Sequence, residues 1–165
     1  MADVPPTPRR IPLPSRVLTS VVSSKLGTLW VLGVARHVDP PLLKLSKGYL
    51  SSLPGAPVLL LRHTGAKSGE LRETPLVYAR DGDRIVLIAS MGGAPRHPAW
   101  YHNLVAHPEC EVVAAGRSGR YRAREASGDE RSRLWEKALD VYSGYQTYQE
   151  RAGRRVIPVL VLEPR

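Results

Sequence analysis

Phenylalanine is absent from this 165-residue chain. Its aromatic surface therefore rests on three tryptophans and seven tyrosines, which bring a polar atom into whatever they pack against. A single cysteine, Cys110, excludes an intramolecular disulfide and makes an intracellular, reducing compartment the expectation. Acidic residues are scarce: 15 Asp and Glu face 24 Lys and Arg, a formal charge of +9. That balance suits a polyanionic partner such as nucleic acid, an anionic membrane surface, or a phosphorylated or carboxylated cofactor. No apolar run spans a bilayer; the most apolar stretch, residues 17–35, carries Lys25 among Ser, Thr and Gly. The proline-rich start is not followed by an apolar core and cleavage site, so no secretory signal is expected.

Several catalytic patterns are missing as well. Lys67-Ser68 is preceded by Ala66, and Leu61 stands where a phosphate-binding loop of the Walker type needs glycine. No G-x-G-x-x-G follows a strand, and no G-x-S-x-G elbow exists. His97, His102 and His107 are five apart, a spacing that does not align them on one helical face. With one cysteine and no H-E-x-x-H, no metal site is expected. Cys110 opens an apolar strand and reads as a buried, inert thiol.

What is present suits one globular domain. Hydrophobic residues make up 42% and charged residues 24%, and 15 prolines and 14 glycines favour turns and short strands over a helical bundle. Residues 1–15 read as a flexible segment. Residues 16–55 read as an amphipathic helix and a linker, with Leu18, Val21, Val22, Leu26, Leu29 and Trp30 at helical spacing. That helix either packs on the domain or lies on anionic lipid through Arg9, Arg10, Arg16, Lys25 and Arg36. The linker, 37–56, contains Pro40-Pro41, Gly48 and Pro54-Gly55 and is expected to hold one helical turn.

Residues 56–165 alternate as strands. Strands are expected at 58–61, at 71–79 with an edge or bulge at Pro75, and at 84–89 after an Asp81-Gly82 hairpin. A short helix follows, with Pro98 at its first position and Pro108 as its stop. A strand pair flanks Gly116 to Gly119, Ser127 to Glu130 match a capping box, and 157–162 form a last strand. Hairpin-linked strands imply a mainly β, largely antiparallel sheet of about six strands closed as a small barrel with flanking helices.

Two glycine-rich loops stand at strand ends, 64–69 and 90–95. Each is either an ordinary turn or a backbone cradle for an anion, with Lys67 adding a charge to the first. Tyr142, Tyr145 and Tyr148, three apart, either pack a helix or wall an aromatic pocket. Arg117, Arg120, Arg122 and Arg124 cluster around one hairpin with Tyr121 interleaved; a solvated basic face is the commoner explanation, and no nucleic-acid partner is expected.

The run from Leu59 to Leu76, containing Thr64-Gly65-Ala66-Lys67-Ser68-Gly69, resembles the deazaflavin-dependent nitroreductase family. Ala89-Ser90-Met91-Gly92-Gly93, His97-Pro98-Ala99-Trp100-Tyr101-His102-Asn103-Leu104, the segment Tyr142 to Gln149 and the ending Ile157 to Pro164 complete the likeness over residues 56–164. The resemblance implies a split β-barrel and the cofactor coenzyme F-420, an 8-hydroxy-5-deazaflavin with phosphate and polyglutamate, FMN being the alternative. It implies hydride transfer to a small-molecule acceptor such as a quinone, conjugated enone or nitroaromatic. The other reading is a non-catalytic barrel that carries deazaflavin, FMN, lipid or heme.

The same resemblance assigns residues. Lys67, Ser68, Gly69, Pro75, Ala89, Ser90, Met91, Gly92, Gly93, Trp100 and Asn103 would line the coenzyme. Tyr142, Tyr145, Tyr148 and Val77 would meet the substrate. Tyr145, Tyr148 and Ser90 are the catalytic candidates. Relatives often carry Arg at the position of Ala66 and Lys at that of Met91, and some carry tyrosine where Val77 stands. A cytoplasmic monomer or weak dimer is expected, peripheral at the inner membrane face if the N-terminal helix binds lipid.

Overall fold

The computed structural model describes residues 33, 35–53 and 55–165. The expected segment 1–15 and most of the expected helix over 16–36 lie outside the described residues. Six strands are present: β1 (Val58–Thr64), β2 (Leu71–Asp81), β3 (Arg84–Ile88), β4 (Glu109–Val113), β5 (Gly119–Glu125) and β6 (Val159–Pro164). They close into a barrel in the order β1-β2-β3-β6-β5-β4, every neighbouring pair antiparallel. Closure comes from β1 and β4, where Leu60 opposes Val113 and Arg62 opposes Glu111. Closure gives every strand a neighbour on each side over at least part of its length.

Strand alternation sorts the apolar side chains onto two faces. Leu59 and Leu61, Ile85 and Leu87, Cys110 and Val112, Tyr121 and Ala123, and Leu160 and Leu162 point inward into one core. Val86, Ile88, Val159 and Val161 point outward and are covered by α3 (Gly128–Val141) and α4 (Gly144–Arg151). One end of the interior is filled by Trp100 and Leu104 of α2 (Ala99–Ala106). Cys110 is buried, as expected, its thiol pushed up to about 12 by burial and then by Glu109.

Pro75 opposes Leu60 of β1, on the part of β2 that β3 does not reach, because β2 pairs with β3 only from Tyr78 onward. The residue that cannot donate sits where β2 is locally an edge.

Three local expectations are corrected. The presumed linker contains a ten-residue helix, α1 (Arg36–Leu45), with Pro40 and Pro41 inside it. Proline in a helix interior costs about 3 kcal/mol. Tertiary contact outweighs that cost: Leu43 is fully buried against Val58 and Leu60, and Asp39 accepts the Ser52 N–H at 2.6 Å. The chain then turns at Gly48, φ +89, where a side chain would come within 2.5 Å of the backbone of Ala114 and Ala115.

The capping box does not form: Ser127 is the N-cap of α3 but its hydroxyl makes no cap bond. Glu130 instead accepts from Arg124 at 2.7 and 2.9 Å and from Arg84 at 3.0 Å, because charged donors outcompete a backbone N–H. Pro98 is the N-cap of α2, extended at ψ 153, rather than its first helical residue. Asp81 ties α3 to the β2–β3 hairpin through Arg84, Arg133 at 2.7 Å and Lys137 at 2.6 Å.

Candidate active site

The first glycine loop leaves β1 and returns into β2. The Gly65 N–H donates to Glu70 O at 2.8 Å and the Gly69 N–H to Gly65 O at 2.9 Å, which closes a tight turn. Ala66, Lys67, Ser68 and Gly69 project from it, all exposed. The N–H groups of Lys67 and Ser68 at its tip have no partner among the described residues. The nearby arginines are engaged: Arg62 pairs with Glu73 at 3.1 Å and Glu111 at 3.6 Å, and Arg72 with Glu70 at 2.7 Å. Lys67 has no carboxylate partner among the described residues. An exposed ammonium beside two open N–H donors is a donor set that fits a phosphate or carboxylate.

This loop is anchored from α2. Asn103 Oδ1 accepts the Ala66 N–H at 2.8 Å, and Asn103 Nδ2 lies 3.0 Å from His63 Nδ1. His63 is 3% exposed and its Nε2 lies 3.0 Å from Thr74 Oγ1. Burial, reinforced by Arg72, lowers its pKa to about 4, so the ring is neutral at physiological pH.

The second loop follows β3. Ala89 is fully buried and belongs to the barrel core, and Ser90 is nearly buried. Met91, Gly92 and Gly93 take left-handed backbone, φ +50, +64 and +82. For a methionine that conformation costs about 1–2 kcal/mol. The strain is balanced by Arg155, whose guanidinium donates to Ser90 O at 2.7 Å, Ala94 O at 2.8 Å and Ala89 O at 3.1 Å. Its Nη1 also meets His97 Nδ1 at 3.1 Å. Arg155 was not among the residues singled out in the sequence. The only trace there is Arg154-Arg155 ahead of the last strand, and nothing local says which of the two turns inward.

The tyrosines join this second loop rather than the first. A side chain on Gly93 would lie 2.7 Å from Tyr148 O and from Arg151 Cβ, so the loop packs directly on α4. Tyr142 and Tyr145 meet edge-to-face at 5.1 Å between centroids, and Tyr142 Oη lies 3.1 Å from Tyr148 Oη. Tyr145 is 7% exposed, and no hydrogen bond joins its hydroxyl to the described residues. Burial pushes the phenols of both Tyr142 and Tyr145 far above the ordinary tyrosine value.

The helix α2 stands between the two loops. His97, just ahead of it, shares Arg155 with the second loop, and Asn103 within it holds the first. Trp100 turns into the barrel core, so it backs the site from inside and presents little surface to a ligand. Pro75 and Val77, on β2, are half-buried; Val77 packs toward Leu43 with the α1 cluster, apart from the tyrosines. A cavity of about 290 Å³ at Tyr101, Leu104, Pro108 and Glu125 shares no residue with either loop or with the tyrosine helix.

Among the described residues no group of His, Cys, Asp and Glu is placed to hold a metal ion. Three of the four hairpin arginines are paired: Arg117 with Asp83, Arg122 with Glu109, and Arg124 with Glu130 and Glu163. The basic face is therefore largely neutralised by its own carboxylates.

Residues 43–164 match the model of a protein family described as F420H(2)-dependent quinone reductase. An F420H(2)-dependent quinone reductase of Mycobacterium tuberculosis is 40% identical over 142 residues, covering 79% of this chain and 95% of that protein. Among solved structures, an F420-H2-dependent reductase superposes with TM-score 0.60 at 38% identity, over 65% of this chain and 94% of that one. A chain solved as a domain-swapped dimer superposes with TM-score 0.61, also at 38% identity, over 65% of this chain and 80% of that one. The matched span runs through both glycine loops, the helix between them and the tyrosine helix. This chain belongs to the F420H(2)-dependent quinone reductase family.

Proposed function

We propose that this chain is a deazaflavin-dependent reductase that transfers a hydride from reduced coenzyme F-420 to a quinone. The observation that carries this reading is the family match across residues 43–164, which includes every loop and helix of the candidate site. The coenzyme, when bound, supplies the hydride. The chain's own residues supply placement, charge balance and exclusion of water.

Lys67 and the N–H groups of Lys67 and Ser68 would hold the anionic end of the coenzyme, with Gly69 leaving the approach open. Ala89, Ser90, Met91, Gly92 and Gly93 would flank its ring, in the conformation that Arg155 holds. Trp100 and Asn103 act one layer behind, Trp100 by filling the barrel end and Asn103 by anchoring the first loop. Pro75, half-buried on β2, would line the coenzyme.

The acceptor would sit against the tyrosines. As a quinone takes up a hydride, negative charge gathers on its oxygen. Tyr145 Oη and Ser90 Oγ make no hydrogen bond to the described residues, and either can donate one to that oxygen. Because burial raises the pKa of Tyr145, it stays a phenol and stabilises the charge as a donor, while solvent supplies the proton. Tyr142 and Tyr148 close the wall and order Tyr145 by ring contact.

Conjugated enones and nitroaromatics extend the proposed range of acceptors, since they too develop charge on oxygen. The proposed setting is the cytoplasm, with the chain a monomer or weak dimer and residues 16–36 resting on the inner membrane face. No helix among the described residues is long and apolar enough to cross a membrane. Flotation with vesicles, with and without residues 16–36, tests the membrane contact.

The test of the function is oxidation of reduced coenzyme F-420 with menadione as acceptor, with reduced FMN and NADPH as controls. Enzyme-dependent oxidation of the deazaflavin alone is expected. Turnover with FMN and none with F-420 would overturn the cofactor assignment.

A further inference from the structure

Two hydrogen bonds fix the orientation of the Asn103 amide and, through it, the tautomer of a buried histidine. Asn103 Oδ1 accepts the Ala66 N–H at 2.8 Å. The other end of the amide, Nδ2, therefore faces His63 Nδ1 at 3.0 Å. An amide nitrogen donates and does not accept, so Nδ1 is the unprotonated ring nitrogen. The single ring proton is then on Nε2, which donates to Thr74 Oγ1 at 3.0 Å. The result is one directed chain of donors: Asn103 Nδ2 to His63 Nδ1, and His63 Nε2 to Thr74.

This chain joins four pieces of the fold. His63 is on β1 and opposes Arg72; Thr74 is on β2 and opposes Leu61, so the two meet diagonally across the sheet. Asn103 is on α2, 40 residues beyond His63, and Ala66 is in the loop whose tip carries Lys67 and Ser68. The amide of Asn103 has two orientations of nearly equal shape. Only the one selected by the His63 acceptor presents an oxygen to the loop. With that acceptor gone, one of the two bonds that hold the amide is lost, and the exposed Ala66 N–H alone is left to orient it.

We propose that His63 is a positioning residue for coenzyme binding: by selecting the Asn103 amide orientation it fixes the Ala66 amide and the Lys67–Ser68 tip. The proposal rests on the placement of the coenzyme's anionic end at this loop. His63 touches no reacting atom. Its effect is on capture of the coenzyme and not on the hydride step, which takes place beside the second loop.

The experiment compares the wild-type chain with His63→Leu, which removes the acceptor, and His63→Asn, whose Oδ1 restores an acceptor near the position of Nδ1. Amide hydrogen exchange at Ala66 is read first, in the protein without coenzyme. Exchange is expected to accelerate about three- to tenfold in His63→Leu, the loss of one hydrogen bond, and to recover in His63→Asn. KM for reduced coenzyme F-420 is read next. It is expected to rise about three- to tenfold in His63→Leu, with kcat at saturating coenzyme unchanged and the rise reversed in His63→Asn. If His63→Leu does not fold, Thr74→Val tests the same chain from its other end, with a smaller change of the same sign expected at Ala66. Unchanged Ala66 exchange in a folded variant overturns the chain of hydrogen bonds. Faster exchange with unchanged KM overturns its role in coenzyme binding. A wild-type chain that does not oxidise the coenzyme fails the functional reading instead, and Ala66 exchange still decides the relay.

Discussion

The carbonyl oxygen of Ser90 accepts a 2.7 Å hydrogen bond from Arg155, a residue 65 positions further along the chain. The same guanidinium reaches Ala89 O and Ala94 O, so one side chain closes the second loop from both of its ends. Lysine at this position carries the charge but not the fork. Arg155→Lys is expected to lower kcat/KM about tenfold and to lower the thermal midpoint by a few degrees, since two of three carbonyls lose a charge-assisted donor. Steady-state kinetics beside a melting curve checks this. Unchanged kinetics with a lowered midpoint would leave Arg155 a purely structural residue.

Gly93 has no room for a side chain. At φ +82, a Cβ would sit 2.7 Å from Tyr148 O and Arg151 Cβ. Gly93→Ala is expected to cost about 2–3 kcal/mol of stability and to separate the loop from α4. Denaturant unfolding gives the first quantity, and loss of quinone turnover in the folded fraction gives the second.

Tyr145 gives the sharpest test of the aromatic wall. Its hydroxyl makes no hydrogen bond to the described residues, so Tyr145→Phe is expected to leave stability within about 0.5 kcal/mol of the parent. Turnover with menadione is expected to fall about tenfold, the loss of one donor to a developing oxyanion. Full turnover in the variant would remove Tyr145 from the chemistry.

Stability should depend on pH through His63. Its pKa is lowered on folding from 6.5 to about 4, by burial and then by Arg72. Between those values the unfolded chain binds a proton that the folded chain refuses, so stability falls as pH drops through the window and is restored above it. The loss from pH 7 to pH 5 is about 2 kcal/mol. His97, also lowered by burial and Arg155, adds in the same direction. The ion-paired carboxylates Asp81 and Glu130 contribute at lower pH, because they lose their stabilising charge only as pH falls below the ordinary carboxylate range. Chemical denaturation across this range should show a shallower slope for His63→Asn than for the parent.

Alternation and turn chemistry made most of the barrel readable from the chain. Val58 to Leu61, Ile85 to Ile88 and Val159 to Leu162 are short apolar runs bounded by turns, and each became a strand. The edge position of Pro75, paired with β1 but not with β3, was readable for the same reason, since proline lacks a donor. The helix α1 was not readable, because Pro40 and Pro41 argue against helix and the burial of Leu43 that overrides them is a long-range contact. Ser127 and Glu130 have the spacing of a capping box, but the arginines that draw Glu130 away come from β3 and β5.

The sequence by itself determined the strand count, the two glycine loops, the tyrosine spacing and the excess of positive charge, since these depend on periodicity, backbone freedom and composition. Only the tertiary structure decided which of these features meet. It packed the second loop on Tyr148, turned Trp100 into the core, and brought Arg155 beneath Ser90 and His63 behind Asn103. Barrel closure juxtaposes residues tens of positions apart, and a hydrogen bond acts over about 3 Å, so such partners appear only once the sheet has closed.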